Sequence, residues 1–466
     1  MLTFQPVTKR SLPRLRRYYK NCTYQLCEYS AGVKLMWRKE LHTYYAEVAG
    51  CLVSYSVING KICFDFPFPG ENGDVEAALC AIEQYCVEKE LPLTISVVPE
   101  SFVAKLALRY PRFHMSNYRA WGDYIYRKED LCEFSGRRYS GQRNHINQFK
   151  KRYPQAVFLP LGEEDIAHIE EFWKDYEAGF SKKNQSARDE LRYAKDMFYA
   201  PGMRHFCVGG IEWEGKLLSL CLAERCGDTL IIHIEKGLAG YEGVYPTTVQ
   251  AFAQHFATED IHWINREDDA GDKGVRMSKR QYLPEHLGAK VRFDVENELA
   301  ELHGIPQIKT DRLLLNALTQ ADQDAYNALC LDEERNRWWG YDYHDDLKGA
   351  LTPDYFLKVA QEDFMKKTAV NFAVRLDGQY IGEVILYHFD GKGNAELGCR
   401  IAPAFAHHGY GTEAFSAVAD WALYHLKLSA VVAKCYRENE ASFRMLSSCM
   451  RKEREDETYF YFKKEV

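Results

Sequence analysis

The run Ala395-Glu-Leu-Gly-Cys-Arg-Ile401 leads into Gly409-Tyr-Gly411-Thr-Glu-Ala414. Alternation with a period of two predicts a strand. Glycines just before apolar residues at helical spacing predict a turn into a helix. This order brings a strand end to a helix start. The first turn of that helix leaves backbone N–H groups unpaired and adds the positive end of its dipole, so it can hold a phosphate. The strand presents Glu396, Gly398 and Arg400 on one face. A carboxylate is therefore expected beside an anion cradle. The helix, expected over 412–426, carries Phe415, Val418, Ala419, Ala422 and Leu426 as a core stripe. Further along, Asn439-Glu-Ala-Ser442-Phe-Arg-Met-Leu446 begins another helix, with Asn439 suited to cap it.

A chain of 466 residues exceeds one hydrophobic core, and about two to four domains are expected. The net charge of −7 supplies no global basic field for nucleic acid. No apolar run approaches the roughly 18 residues of a membrane span, and Met1-Leu-Thr-Phe-Gln-Pro6 does not have the form of a signal peptide. The 14 cysteines contain no Cys-x-x-Cys pair. They are expected to be reduced core residues of a cytoplasmic protein, with no metal site.

The clearest boundary is Glu301-Leu-His-Gly-Ile-Pro-Gln307, where a helical pattern stops at Gly304 and Pro306. The expected division is 1–130, 131–303 and 304–466. The first unit reads as strands near 44–55 and 61–66, a helix near 74–89 and a strand at 93–98. The second reads as a helix near 163–178, strands at 205–213, 216–223 and 229–234, a helix near 247–256 and a strand at 261–265. The shared order of strands, helix and strand suggests three copies of one α/β topology.

From about Ile308 to Val466 the three motifs, in order and spacing, resemble the GNAT superfamily of N-acetyltransferases, nearest to its ribosomal-protein N-acetyltransferase branch. The first 300 residues carry Gly136-Arg-Arg-Tyr-Ser-Gly-Gln-Arg-Asn-His-Ile-Asn-Gln-Phe149, His233-Ile-Glu-Lys236 and Ile264-Asn-Arg-Glu-Asp-Asp-Ala-Gly-Asp272. These resemble an uncharacterised bacterial family related to the catalytic domain of phosphatidylglycerol lysyltransferase. The two resemblances together imply three GNAT-like units with mixed, mostly antiparallel central sheets flanked by helices. They also imply an N-acetyltransferase using acetyl-CoA.

N-acetyl transfer needs a held pyrophosphate, a polarised thioester carbonyl, a base for the ammonium and an acid for the thiolate. Backbone N–H groups around His408, Gly409, Tyr410, Gly411 and Thr412 suit the first. The resemblance implies that the strand end at Arg400 and Ile401 supplies an N–H to the carbonyl oxygen, and that Asn439 and Ser442 contact the cofactor or order the cleft. Glu396 is the candidate base, on the expectation that partial burial raises its pKa. His388 and Tyr436 are next in line. The family's Gln or Arg three positions before Gly409 is Ala406 here, and its tyrosine acid falls near Leu446, which leaves Tyr436 and Ser442 as substitutes. In Arg337-Trp-Trp-Gly-Tyr-Asp342 two adjacent tryptophans cannot both face the core of a regular element; the resemblance implies that this region, with Trp338, Trp339 and Tyr341, lines the acceptor pocket, and a domain contact is the other reading.

In the first 300 residues, the acid-free stretch from Arg137 to Arg152 is interleaved with aromatics, and either a solvated helix face or a phosphate-binding patch fits it. Arg143 and Asn144 match the family motif. His233, Glu235, Lys236, Tyr245, Asn265, Arg266, Glu267 and Asp268 concentrate charge at strand ends, which are favoured ligand sites. Arg143, Lys236 and Arg266 are expected to converge on an anion.

The sequence reading is acetylation of a primary amine, on a small molecule or a peptide. Two alternatives stand beside it. The N-terminal module moves an aminoacyl group from transfer RNA, or it is a non-catalytic binding platform. Nothing in the sequence fixes the oligomeric state.

Overall fold

The computed structural model describes residues 2–179, 185–199, 203–339, 342–345, 347 and 349–466. It contains two compact units. One comprises 1–81, 94–103 and 115–293; the other comprises 82–93, 104–114 and 294–466. Three 8-stranded sheets, mostly antiparallel and flanked by helices, make the fold α/β.

Each sheet contains the same core motif. In the first, Cys51–Ile58 pairs antiparallel with Lys61–Asp65, the helix Val75–Glu88 follows, and Thr94–Val98 returns parallel through Phe64↔Ile95 and Asp65↔Ser96. In the second, Ser219–Cys226 pairs with Thr229–Gly237, the helix Val244–Phe256 follows, and Trp263–Asn265 returns parallel. In the third, Gln379–Tyr387 pairs with Asn394–Ile401, the helix Tyr410–Tyr424 follows, and Ala430–Tyr436 returns parallel. A helix fits each crossover because parallel neighbours need a long connection.

The sheets do not follow the expected division at residue 130. Asp123–Arg127 belongs to the second sheet, against Trp263–Asn265 and His286–Gly288. Val291–Val295 lies in the first sheet, next to Thr94–Val98 and Phe113–Asn117. Pairing across such separations leaves no local periodicity to read.

In the C-terminal domain, Ala414, Phe415, Val418, Ala419, Ala422 and Leu423 of the helix pack into one core with Val384, Leu386, Ala395, Leu397 and Val431. The expected stripe is this buried face, and Leu426 joins the core just beyond the helix end. The helix begins at Tyr410 because Gly409 takes φ 81°, in the left-handed region that glycine enters freely. All 14 cysteines are free thiols, and only Cys80 is exposed. Among the described residues, no helix is long and apolar enough to cross a membrane.

Candidate functional site

The ladder between Asn394–Ile401 and Ala430–Tyr436 holds for three pairs and stops at Glu396↔Val432, although both strands continue. Beyond that point the strands splay. On its other edge, Asn394–Ile401 stays paired to Gln379–Tyr387 as far as Ile401↔Gly382. The Ala402 N–H donates to the Ile381 carbonyl at 2.8 Å. Alternation along a strand therefore turns the Ile401 and Cys399 N–H groups toward the splay.

The glycine turn lies at the head of the following helix. A Cβ built on Gly409 would meet only the Arg312 Nη2, at 3.5 Å. The turn is therefore not filled by a neighbouring element. Arg312 donates from Nη1 to the His408 carbonyl at 3.0 Å and from Nε to Glu413 at 2.7 Å, and its guanidinium lies 4.6 Å from the centre of the Tyr410 ring. Glu413, in the first helical turn, also accepts from the Arg312 N–H at 3.0 Å and from the Thr310 hydroxyl. His408 is exposed and stacks on Tyr410.

Glu396 is largely buried. It accepts from the Tyr387 hydroxyl at 2.9 Å, its Oε2 lies 3.2 Å from His388 Nδ1, and Lys434 Nζ is 3.5 Å away. Burial alone pushes its carboxyl up, but His388, Lys434 and Tyr387 outweigh it and hold the carboxyl below its ordinary value. The expected raised pKa is thus corrected: three donors favour the charged form. Tyr387 in turn is pushed well above the usual tyrosine range by burial and by Glu396.

The Arg400 side chain is not available to a cofactor. It is buried against Glu383, which accepts its Nε at 2.8 Å, and it also donates to Asn336 and to Cys330 Sγ. Trp339 covers this face, with Gly398 leaving room for its ring and the Arg400 guanidinium 4.2 Å from the ring centre. Trp338 packs on Tyr436 at 5.4 Å. The structure thus brings both tryptophans over the face that carries Glu396; Tyr341 lies outside the described residues. Tyr436 also packs on Tyr459 at 4.6 Å, and the Tyr459 hydroxyl is pushed up to about 12 by its hydrogen bond with Tyr436 and by burial. Asn439 caps its helix, accepting the Ser442 N–H at 3.1 Å.

In the N-terminal module the strand-end charges assemble into internal pairs. His233 is buried between Glu267, whose Oε1 is 2.8 Å from Nδ1, and Glu224, 3.5 Å from Nε2. Burial opposes its charge, but the two carboxylates raise it to about 9. Arg266 pairs with Glu235 at 2.8 Å and lies over the Tyr282 ring at 4.3 Å. Lys236 pairs with Glu190 at 2.7 Å. Arg143 donates to the carbonyls of Gly136 and Phe134. The three cations expected to meet on an anion are therefore each bound to different protein groups. Asn144 and Tyr245 are exposed.

Asp268 and Asn265, both singled out in the sequence, join a second cluster whose other members, Lys290, Glu28, Asp123 and Cys27, carried no sequence signal. The buried Lys290 Nζ lies 2.8 Å from Glu28, 2.8 Å from Asp123, 3.2 Å from Asp268 and 3.3 Å from Cys27 Sγ. Asn265 donates to Asp123 at 2.8 Å and to the Gln25 carbonyl at 2.7 Å. Cys27, Glu28 and Asp123 have the spacing of a metal site, but the ammonium stands among them.

The N-terminal units and the C-terminal domain share one motif of hairpin, crossover helix and parallel strand, and the C-terminal copy joins a glycine turn to a polar, aromatic-covered face. That architecture defines a chain of GNAT-like units. Residues 20–291 match the family model described as phosphatidylglycerol lysyltransferase, C-terminal. The chain belongs to this family. Residues 312–449 match the model described as acetyltransferase (GNAT) domain, which makes the chain an acyltransferase. It is 26% identical over 144 residues to an uncharacterised N-acetyltransferase, YoaA, of Bacillus subtilis, covering 30% of this chain and 80% of that protein. A conserved protein of unknown function from Bacteroides thetaiotaomicron is similar in structure, at 25% identity and TM-score 0.55, over 64% of this chain and 100% of its own. A putative ribosomal-protein-serine acetyltransferase from Vibrio cholerae is similar over 34% of this chain and 98% of its own, at 20% identity and TM-score 0.29.

Proposed function

We propose that the C-terminal domain transfers an acetyl group from acetyl-CoA to a primary amine. The observation that supports this most is the break in the parallel ladder at Glu396↔Val432 beside a glycine turn open at Gly409. Acetyl-CoA would supply a thioester whose carbonyl carbon accepts the amine nitrogen as the carbon–sulfur bond breaks. The N–H groups of His408 to Thr412 are assigned to the pyrophosphate, with Arg312 adjacent. The Ile401 N–H is assigned to the carbonyl oxygen. Glu396 receives the proton of the acceptor ammonium, directly or with His388. Its lowered pKa keeps it ionised at neutral pH, so it draws in the ammonium and orients His388. Tyr436 is assigned the proton for the leaving thiolate, with Ser442 second. Trp338 and Trp339 wall the acceptor side.

On this reading the N-terminal module does not acetylate. The matching turn at Gly243 is filled: a Cβ there would lie 2.5 Å from the His145 carbonyl oxygen. The test is calorimetry of acetyl-CoA on the full chain. One site per chain is expected, and Gly409→Asp, which places a carboxylate on the pyrophosphate path, should weaken it at least tenfold. Unchanged affinity in a folded variant removes the assignment.

A further inference from the structure

We infer that the acceptor amine carries a negatively charged group, so the substrate is an anionic amine rather than a polyamine. The inference rests on the proposed acetyl transfer and adds the acceptor's class. It comes from a ladder of rings on the face that carries Glu396. Trp338 packs on Tyr436 at 5.4 Å, Tyr436 on Tyr459 at 4.6 Å, and Tyr459 approaches Tyr461 at 6.1 Å. Three exposed cations lie along it: Arg337 over Trp338 at 4.6 Å, Lys434 over Tyr459 at 5.7 Å and Arg454 over Tyr461 at 3.4 Å.

The register puts this ladder at the mouth of the site. Glu396 is paired with Val432, and Lys434 and Tyr436 follow on the same face by the period of two. Tyr459 and Tyr461 are the cross-strand partners of Tyr436 and Lys434. Among the described residues, neither Arg337 nor Arg454 has a carboxylate within ion-pairing distance. Of the exposed acids beside the ladder, Asp456 accepts the Tyr461 hydroxyl at 2.7 Å, and Glu455 pairs with Lys452 at 2.7 Å and Arg437 at 3.7 Å. Lys434 is shared with Glu396.

The charge is therefore arranged in two layers. Inside, Glu396 favours an ammonium. Outside, stacked guanidinium groups favour a carboxylate or phosphate, and arginine suits both by its planar fork. A polyamine would satisfy the inner layer and be repelled by the outer one. An amino acid, an N-terminal amine followed by acidic residues, or an amino-sugar phosphate satisfies both.

The experiment measures acetyl transfer by the full chain to the tripeptides Ala-Glu-Glu, Ala-Gln-Gln and Ala-Lys-Lys, with free glutamate and spermidine as small acceptors. The expected order of kcat/KM is anionic, neutral, cationic, with steps on the order of tenfold at low salt that shrink as salt screens the outer cations. Arg337→Gln with Arg454→Gln should collapse the order while acetyl-CoA affinity stays unchanged. Glutamate ahead of Ala-Glu-Glu points to a small acceptor, and the reverse to a peptide; both support the anionic class. Preference for Ala-Lys-Lys or spermidine overturns it, as does an order that survives in the double variant. If acetyl-CoA does not bind, the proposed transfer fails, but tripeptide binding by calorimetry still tests the charge preference. Equal binding of Ala-Glu-Glu and Ala-Lys-Lys then overturns it.

Discussion

Gly243 and Gly409 cap their helices from the left-handed region, at φ 86° and 81°. Each helix crosses over between strands that pair in parallel for three residue pairs. Their surroundings differ. At Gly243 an added Cβ would lie 2.5 Å from the His145 carbonyl oxygen and 3.0 Å from Phe149 Cβ, both on the helix Ser140–Arg152. At Gly409 only the tip of Arg312 comes within 4 Å. The strand faces differ as well. Counting from the first parallel pair, the position of Glu396 is taken by buried Ile231 and that of Gly398 by His233, where the register of the N-terminal strand shifts. One copy keeps a cleft with a polar floor. The other has the same backbone closed by a helix and by internal ion pairs. A shared topology thus says where a site can be, and the residues in the turn decide whether it is one.

The largest expected effect separates the two floors. Glu396→Gln should lower kcat by about 10²–10⁴-fold, on the order of 3–5 kcal/mol, with acetyl-CoA affinity kept. A variant with wild-type kcat would make Glu396 as structural as its counterpart Ile231.

Next is the filled turn. Gly243→Ala adds backbone strain to an overlap with main-chain oxygen, and should cost about 2–4 kcal/mol in urea unfolding of the N-terminal module. An unaffected midpoint would mean that the helix Ser140–Arg152 can withdraw from the turn, and that the contrast is not fixed.

His233 gives a slightly smaller effect with a pH signature. Its pKa is raised in the folded state to about 9, from 6.5. The stabilisation is therefore complete below pH about 6.5 and is lost as pH rises through 9, amounting to about 3 kcal/mol. Unfolding midpoints measured between pH 6.5 and 10 should fall accordingly, and His233→Gln should flatten the profile. The smallest effect is Gly409→Ala, which meets open space and should cost only about 1 kcal/mol, from its positive φ. A loss as large as that of Gly243→Ala would show the turn to be packed after all.

Much of the C-terminal site was legible because its motifs are local. A strand, a glycine turn and a helix adjacent in sequence announce their geometry, and Glu396 meets Tyr387 and His388 across one hairpin. The adjacent tryptophans were legible as residues that no regular core element takes together. What escaped was distant pairing. Arg312 and Glu413 reach each other from separate elements, and Lys290 closes on Glu28 from the far end of the module. No spacing rule links such residues. The family motifs around Arg143, Lys236 and Arg266 were visible, but their partners were not, so side chains that pair internally read as a shared anion site. The strand Val291–Val295 was missed as part of the first sheet for the same reason.

The last sheet ends on Arg451–Glu455, a strand of five charged, exposed residues whose pairing slips between Lys452 and Arg454. An edge strand is a template onto which a second chain can add. Here any flat newcomer would meet an unbroken row of charges on a bulged, twisted rim. The domain thus carries its own guard against edge-to-edge growth. Replacing Lys452 and Arg454 with Val and Thr would strip two of those charges and raise the rim's β-propensity, favouring edge-to-edge self-association, even though it touches no part of the core.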